Sequence, residues 1–324
     1  MKKGIKKLLL GAGITTAATA AVSGVSYLVT KMLVREALDR NEPKTLEKVK
    51  SRIVGNFATN PQYDEYIAVA EEFKNDESLK TVEITAKDGT NLVGHLLVNE
   101  NAKRIIVAMH GWRSSWYKDF CTIKDFWYNE GCTVLFCEQR GQGESGGDYM
   151  GFGMTERFDC VDWVNYINEN VSDSLPIYLA GVSMGATTVL MASNLEELKN
   201  VHGIMADCGF TSPKDIFKYI SENNLHISYS IREPFINALS RSMINLSTDE
   251  FSTITALSNT DIPVLFVHGT DDTFVPVSMT FENYKACSSK KRLLIVPGAE
   301  HGLSYAVDKE AYENITKEFF GEFD

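Results

Sequence analysis

The sequence predicts an α/β fold, a mostly parallel β-sheet flanked by helices, and three observations predict it. Short apolar runs recur at 104–109, 133–137, 177–182, 201–206, 263–267 and 292–296. Amphipathic stretches alternate with them, around 118–130, 156–169, 184–194, 278–287 and 308–320. The composition, 44% hydrophobic and 23% charged, is that of a globular chain able to bury a large core. Strands covered by helices on both faces read as continuous apolar runs, and an alternation of such runs with amphipathic stretches is what repeated βα units require.

Ahead of this alternation, 81–86 and 91–98 flank the turn Lys87-Asp88-Gly89-Thr90 and read as a hairpin. Counting from it, 104–109 is the third strand, 177–182 the fifth and 201–206 the sixth. About 50 residues then intervene before the seventh, far more than a βα link needs. Residues 210–260 are therefore expected to form a helical cap inserted after strand six. The main domain occupies 81–324. Residues 33–80 carry charges at helical spacing, with Pro43 and Pro61 as punctuation, and predict a helical stalk.

Residues 1–32 predict a membrane anchor or signal segment. Lys2, Lys3, Lys6 and Lys7 precede an uncharged run from Leu8 to Thr30, 23 residues long and sufficient to cross a bilayer as a helix. Ala18-Thr19-Ala20 resembles a small-residue cleavage site, so a removable signal peptide is the rival reading and a packed helix the third. Lysines ahead of the run favour a cytoplasmic N-terminus, which places the chain at the cell membrane with its main domain outside the cytoplasm; secreted and cytoplasmic locations are the alternatives. The cysteines pull the other way. Cys121, Cys132, Cys137, Cys160, Cys208 and Cys287 show no C-x-x-C spacing and read as reduced structural thiols, which are commoner in reducing compartments.

Charge narrows the partners. The net charge of -11 divides into +5 over residues 1–40 and -16 over the rest. An acidic body without a basic stripe repels phosphate backbones, so nucleic acid is not an expected partner. Small molecules are the expected partners instead, with the membrane contacted only through the N-terminal segment. Nothing in the sequence speaks to oligomeric state.

The chemistry centres on Gly181-Val182-Ser183-Met184-Gly185, which follows an apolar strand and precedes the helical pattern from Ala186 to Met191. A serine on such a sharp strand-to-helix turn presents its hydroxyl, and glycines on either side let strand and helix approach. The N–H of Met184, at the helix N-terminus, is then an oxyanion donor. A nucleophilic serine needs a base, and the base an acid to orient it. Of six histidines, His301 lies in Gly298-Ala299-Glu300-His301-Gly302, directly after the last strand, and is the expected base. His110 and His268 each end a strand in a His-Gly pair and are expected to shape loops. The acid belongs between Ser183 and His301 in chain order; Asp272 is first choice, with Asp207 and Asp271 as alternatives. The second oxyanion donor is expected from the backbone of Trp112 in His110-Gly111-Trp112-Arg113, after the third strand, with its indole walling the acyl pocket.

These ordered motifs resemble the α/β-hydrolase superfamily of serine hydrolases over about residues 81–324. His-Gly-Trp, Gly-Val-Ser-Met-Gly, the His-Gly-x-x-Asp-x-x-Val-Pro segment ending in Pro276 and Gly-x-x-His-Gly ending in Gly302 carry the resemblance. Glu138-Gln139-Arg140-Gly141-Gln142-Gly143-Glu144-Ser145 is similar to the family's Asp-x-Arg-Gly-His-Gly-x-Ser loop, from which Glu138 and Gln142 depart. The basic N-terminus plus this core is also similar to N-terminally anchored Gram-positive hydrolases grouped as dienelactone-hydrolase-like or serine-aminopeptidase-like. The resemblance implies a Ser-Asp-His triad; the histidines are scattered without ligand spacing, so no metal is expected, and no cofactor either. Ester cleavage through an acyl-enzyme is the first expectation. The alternative is a peptidase or amidase of the serine aminopeptidase type, with Glu222, Glu233, Asp249 or Glu250 binding a substrate amine.

Gly141-Gln142-Gly143-Glu144-Ser145-Gly146 also satisfies G-x-G-x-x-G, but Gly147-Asp148-Tyr149-Met150-Gly151 follows instead of an apolar helix. Without a helix N-terminus there is no place for a pyrophosphate, so a dinucleotide is not expected.

Overall fold

The computed structural model describes residue 24, residues 26–41 and residues 61–324. Eight strands form one sheet: β1 Lys80–Thr85, β2 Asn91–Leu97, β3 Arg104–Met109, β4 Cys132–Cys137, β5 Ile177–Val182, β6 Val201–Asp207, β7 Val264–Gly269 and β8 Lys291–Val296. Their order is β1-β2-β4-β3-β5-β6-β7-β8. Strand β2 pairs antiparallel with β1 and β4, and every pairing from β4 through β8 is parallel. The chain is thus an α/β-hydrolase fold, with the cap between β6 and β7.

Helix α1 covers residues 26–38. It is followed by α2 Pro61–Lys74, α3 Trp116–Phe120, α4 Lys124–Asn129, α5 Glu156–Asn170, α6 Met184–Ala192 and α7 Pro213–Tyr219. Then come α8 Glu233–Ile244, α9 Thr253–Leu257, α10 Val277–Ala286, α11 Ser304–Val307 and α12 Lys309–Phe323.

The central strands are buried because both faces are covered. Alternate residues of β3, β4 and β5 feed two cores: Ile106, Val134, Phe136 and Tyr178 on one face, Ile105, Val107, Leu135 and Leu179 on the other. The first core is closed by Phe319 and Phe320 of α12, the second by Trp163 of α5 and Val189 and Leu190 of α6. Each such side chain contributes roughly 1.5–3 kcal/mol of burial, and this rigid double layer fixes the strand ends on which the loops sit. A third core lies over the carboxyl edge of the sheet. It joins Val34 and Leu38 of α1 to Met150, Phe152, Met184, Phe210, Ile216 of α7 and Ile236 of α8.

The cap has local causes. Ser212 caps α7, its Oγ accepting the Asp215 N–H at 3.0 Å, and Pro213 occupies the first helical position where no N–H is needed. A π turn, Ile220–Asn224, continues α7. Asn245, left-handed at φ +59°, ends α8.

The expected membrane span is corrected. Among the described residues no helix is long and apolar enough to cross a membrane. Residues 8–23 and 25 of the expected span, the possible cleavage site included, lie outside the described residues. Its described end belongs to α1, which packs against the domain: Thr30, Val34 and Leu38, four residues apart, are each 3% exposed or less. Lys31, Arg35 and Glu36 interrupt the apolar run on that helix, so the stripe it buries is one face of an amphipathic helix. The transmembrane assignment and the cell-membrane location built on it lose their support. Of the expected stalk, residues 42–60 lie outside the described residues, and α2 packs Ala70 and Phe73 into the first core.

Candidate active site

The serine turn is built by steric exclusion. Ser183 has φ +56° and ψ -117°, a conformation held by its N–H donating to the Asp207 carbonyl at 2.9 Å and its carbonyl accepting the Thr187 N–H at 3.0 Å. A Cβ on Gly185 would lie 1.9 Å from the Met109 carbonyl oxygen, and one on Gly181 2.3 Å from the Gly185 backbone. Only hydrogens fit at these two positions, which is why α6 starts so close to β3 and β5.

His301, in the loop after β8, brings Nε2 to 2.8 Å from Ser183 Oγ. Its Nδ1 lies 2.6 Å from Asp272 Oδ2. A carboxylate oxygen accepts, so Nδ1 carries the proton and Nε2 is left to accept from the hydroxyl. Asp272 is wholly buried in the loop after β7, and its Oδ1 accepts the N–H groups of Phe274 at 2.9 Å and Val275 at 2.8 Å. Burial alone raises a carboxyl pKa. Here the opposite charge of His301 and the hydrogen bonds from His268 and His301 outweigh it and hold Asp272 well below the usual carboxylate range. For His301 burial acts to lower the pKa, and Asp272, with smaller contributions from Asp207 and Asp119, raises it above the ordinary imidazole value. A hydroxyl, a neutral imidazole and a buried carboxylate in this relay are able to generate an alkoxide nucleophile and to stabilise the imidazolium that results.

The alternatives separate cleanly. Asp271 is exposed, its carboxylate accepting from Thr270. Asp207 is buried at the end of β6 and accepts from Ser304 Oγ at 2.9 Å; desolvation raises its pKa to about 6. His110 accepts the Gln139 N–H at Nε2 and donates from Nδ1 to the Gly111 carbonyl, so it shapes the loop after β3. His268 contacts Thr280 through Nδ1 and the Val275 carbonyl and Asp272 through Nε2. It therefore supports the acid from behind, a role the sequence did not disclose.

In the loop after β3 the N–H groups on either side of Trp112 are held by side chains. Gly111 N–H donates to Asp119 Oδ2 and Arg113 N–H to Gln142 Oε1, both at 2.6 Å. The Trp112 N–H between them donates to no described residue, and neither does that of Met184 at the start of α6. Gln142, a departure from the family loop, thus has a structural task beside the site. Glu138, the other departure, accepts from His95, Trp116 Nε1 and the Glu144 N–H.

Two cavities meet at Ser183. One is an apolar slot lined by Val34, Trp112, Phe152, Phe210, Ile216 and Phe274 among others. The second, broader and more polar, is lined by His301, Asp119, Trp127, Tyr305 and Leu303 among others. His301 borders only the second. Glu222, Glu233, Asp249 and Glu250 border neither. Glu233 pairs with Lys214 at 2.7 Å, and Asp249 and Glu250 accept from Ser247. Among the described residues Glu36 is the one carboxylate bordering the slot, and its Oε1 lies 3.8 Å from Arg113 Nε. All six cysteines are free and buried.

Residues 118–323 match the model described as the prolyl oligopeptidase family. The chain is 24% identical to the uncharacterized protein YqkD of Bacillus subtilis over 315 residues, 97% of each chain. An esterase of Pyrococcus furiosus superposes with a TM-score of 0.60 at 23% identity, covering 76% of this chain and 91% of that one. Est1E of Butyrivibrio proteoclasticus, solved with ferulic acid bound, gives 0.59 at 19% identity over 75% and 98%.

Proposed function

This chain belongs to the prolyl oligopeptidase family of serine hydrolases on the α/β-hydrolase fold, and on that premise we propose that it cleaves carboxylic esters through an acyl-enzyme on Ser183. The observation that carries the ester reading is the slot beside Ser183, whose wall is apolar and which none of the four cap carboxylates borders. An unsubstituted acyl chain is desolvated favourably there; the carboxylate that does border it, Glu36, already faces the Arg113 guanidinium at 3.8 Å and so is a poor partner for a substrate ammonium.

Ser183 Oγ attacks the acyl carbon as His301 Nε2 takes the hydroxyl proton. Asp272 keeps the imidazole in the required tautomer and stabilises its charge. The N–H groups of Trp112 and Met184 receive the developing oxyanion, their hydrogen-bonding capacity being otherwise unspent. His301 then protonates the leaving alcohol, so the alcohol lies on the side His301 borders, the broader cavity, and the acyl chain lies in the slot. Water enters by the same route, loses its proton to His301 and releases the acid.

The family's description supports peptide or amide cleavage as the second reading. A comparison of p-nitrophenyl esters with aminoacyl p-nitroanilides separates the two. Higher kcat/KM on the esters is expected, and faster turnover of the anilides sinks the ester reading.

A further inference from the structure

Helix α1 lies outside the family match, which starts at residue 118, yet it is built into the site. Thr30, Leu33, Val34 and Ala37 border the slot beside Ser183, together with Ile216 and Ile236 of the cap. A helix exposes its last four carbonyls, and here each finds a donor. Arg35 accepts the Asp39 N–H and Leu38 the Met150 N–H. Glu36 accepts from Arg113 Nη2 at 2.7 Å, and Ala37 from Trp112 Nε1 at 2.8 Å. Two of the four partners therefore come from the side chains of the loop whose backbone is assigned to the oxyanion. Arg113 also reaches the Asp39 carbonyl at 2.7 Å, and Arg40 ties the segment to the Ser145 carbonyl at 2.6 Å. Cationic Arg113 at the helix C-terminus complements its dipole.

We propose that α1 is a specificity-determining part of the substrate site: Leu33, Val34 and Ala37 form the wall against which the acyl chain lies, and they set the longest chain accepted. The proposal rests on the acyl-enzyme reading above and on the acyl chain taking the slot. The apolar face of α1 is turned to that slot, while Met32, at 43% exposure, points outward on the same helix.

The test uses the full chain and p-nitrophenyl esters from acetate to decanoate, read as the ratio of kcat/KM for octanoate to that for acetate. The ratio cancels any change in the folded fraction. Leu33→Trp fills the slot and is expected to lower the ratio at least tenfold, since each methylene denied burial is worth roughly fourfold. Leu33→Ala lengthens the slot and is expected to raise the ratio and move the optimum to longer chains. Met32→Ala is expected to leave it unchanged. A ratio unmoved by both Leu33 substitutions, or moved equally by Met32→Ala, overturns the proposal. Should Leu33→Trp fail to fold, Leu33→Ala still decides it. Ser183→Ala is run alongside: hydrolysis that survives it brings down the acyl-enzyme reading, whereas loss of hydrolysis with an unmoved ratio in the Leu33 variants brings down only the wall. If anilides alone turn over, the same ratio on acyl anilides tests the wall.

Discussion

Replacing Asp272 by Asn tests the relay at its buried end. Four donors converge on this carboxylate: the N–H groups of Phe274 and Val275 on Oδ1, and His268 and His301 on Oδ2. An asparagine has one acceptor oxygen and one NH2 to offer. With the oxygen kept on the two backbone N–H groups, the NH2 faces His301 Nδ1, which must become an acceptor. The imidazole proton then moves to Nε2, which lies 2.8 Å from Ser183 Oγ and is no longer able to accept from it. With the amide flipped, two buried N–H groups lose their acceptor, at about 1–3 kcal/mol each. The first arrangement is therefore favoured, and it carries the wrong tautomer. A tautomer inversion of this kind lowers kcat about 10⁴-fold, or about 5.5 kcal/mol in the barrier. The assay is the hydrolysis of p-nitrophenyl butyrate at pH 8 by Asp272→Asn, Asp207→Asn and Asp271→Asn enzymes matched in circular dichroism. Loss confined to Asp272→Asn is expected. A loss below tenfold there, or a larger one in Asp207→Asn, refutes the assignment of the acid.

Other measurements probe the same account. Because Asp272 raises the His301 pKa and the base acts when neutral, kcat/KM falls with acid through a midpoint above the ordinary imidazole value; in Asp272→Asn residual activity shifts that midpoint to lower pH, and an unshifted limb contradicts the coupling. Gly185→Ala pushes a methyl against the Met109 carbonyl, and a destabilisation of about 3 kcal/mol is expected by urea unfolding; wild-type stability argues that the turn is not so tight. Gln142→Ala leaves the partly buried Arg113 N–H without its acceptor, and a loss of kcat of about tenfold with the acyl-length profile unchanged is expected; activity within twofold of wild type removes Gln142 from the oxyanion loop's support.

Much of this site was legible because strand ends are marked in sequence. Ser183, Asp272 and His301 each follow an apolar run that emerges as β5, β7 and β8, and a parallel sheet brings its carboxyl edges together whatever their separation along the chain. The supporting contacts were not legible. Asp119, Gln142 and His268 act through loop conformations that carry no periodic signal. The break between α3 and α4 was hidden for a related reason. Phe120, Ile123 and Trp127 keep helical spacing across it, and neither Gly nor Pro marks the turn. The end of the expected span has a physical cause too. The uncharged run extends through Thr30, yet Thr30, Val34 and Leu38 fall on one stripe that the fold buries. The Arg35–Asp39 pair, four residues apart and 3.0 Å in the structure, was the available sign of an amphipathic helix.

The most direct test of the central claim is labelling with an active-site-directed fluorophosphonate, read by intact mass and by peptide mapping. One adduct on the peptide containing Ser183 is expected in the wild-type chain, and none in Ser183→Ala. Labelling of Ser183→Ala as strong as that of the wild type contradicts the account.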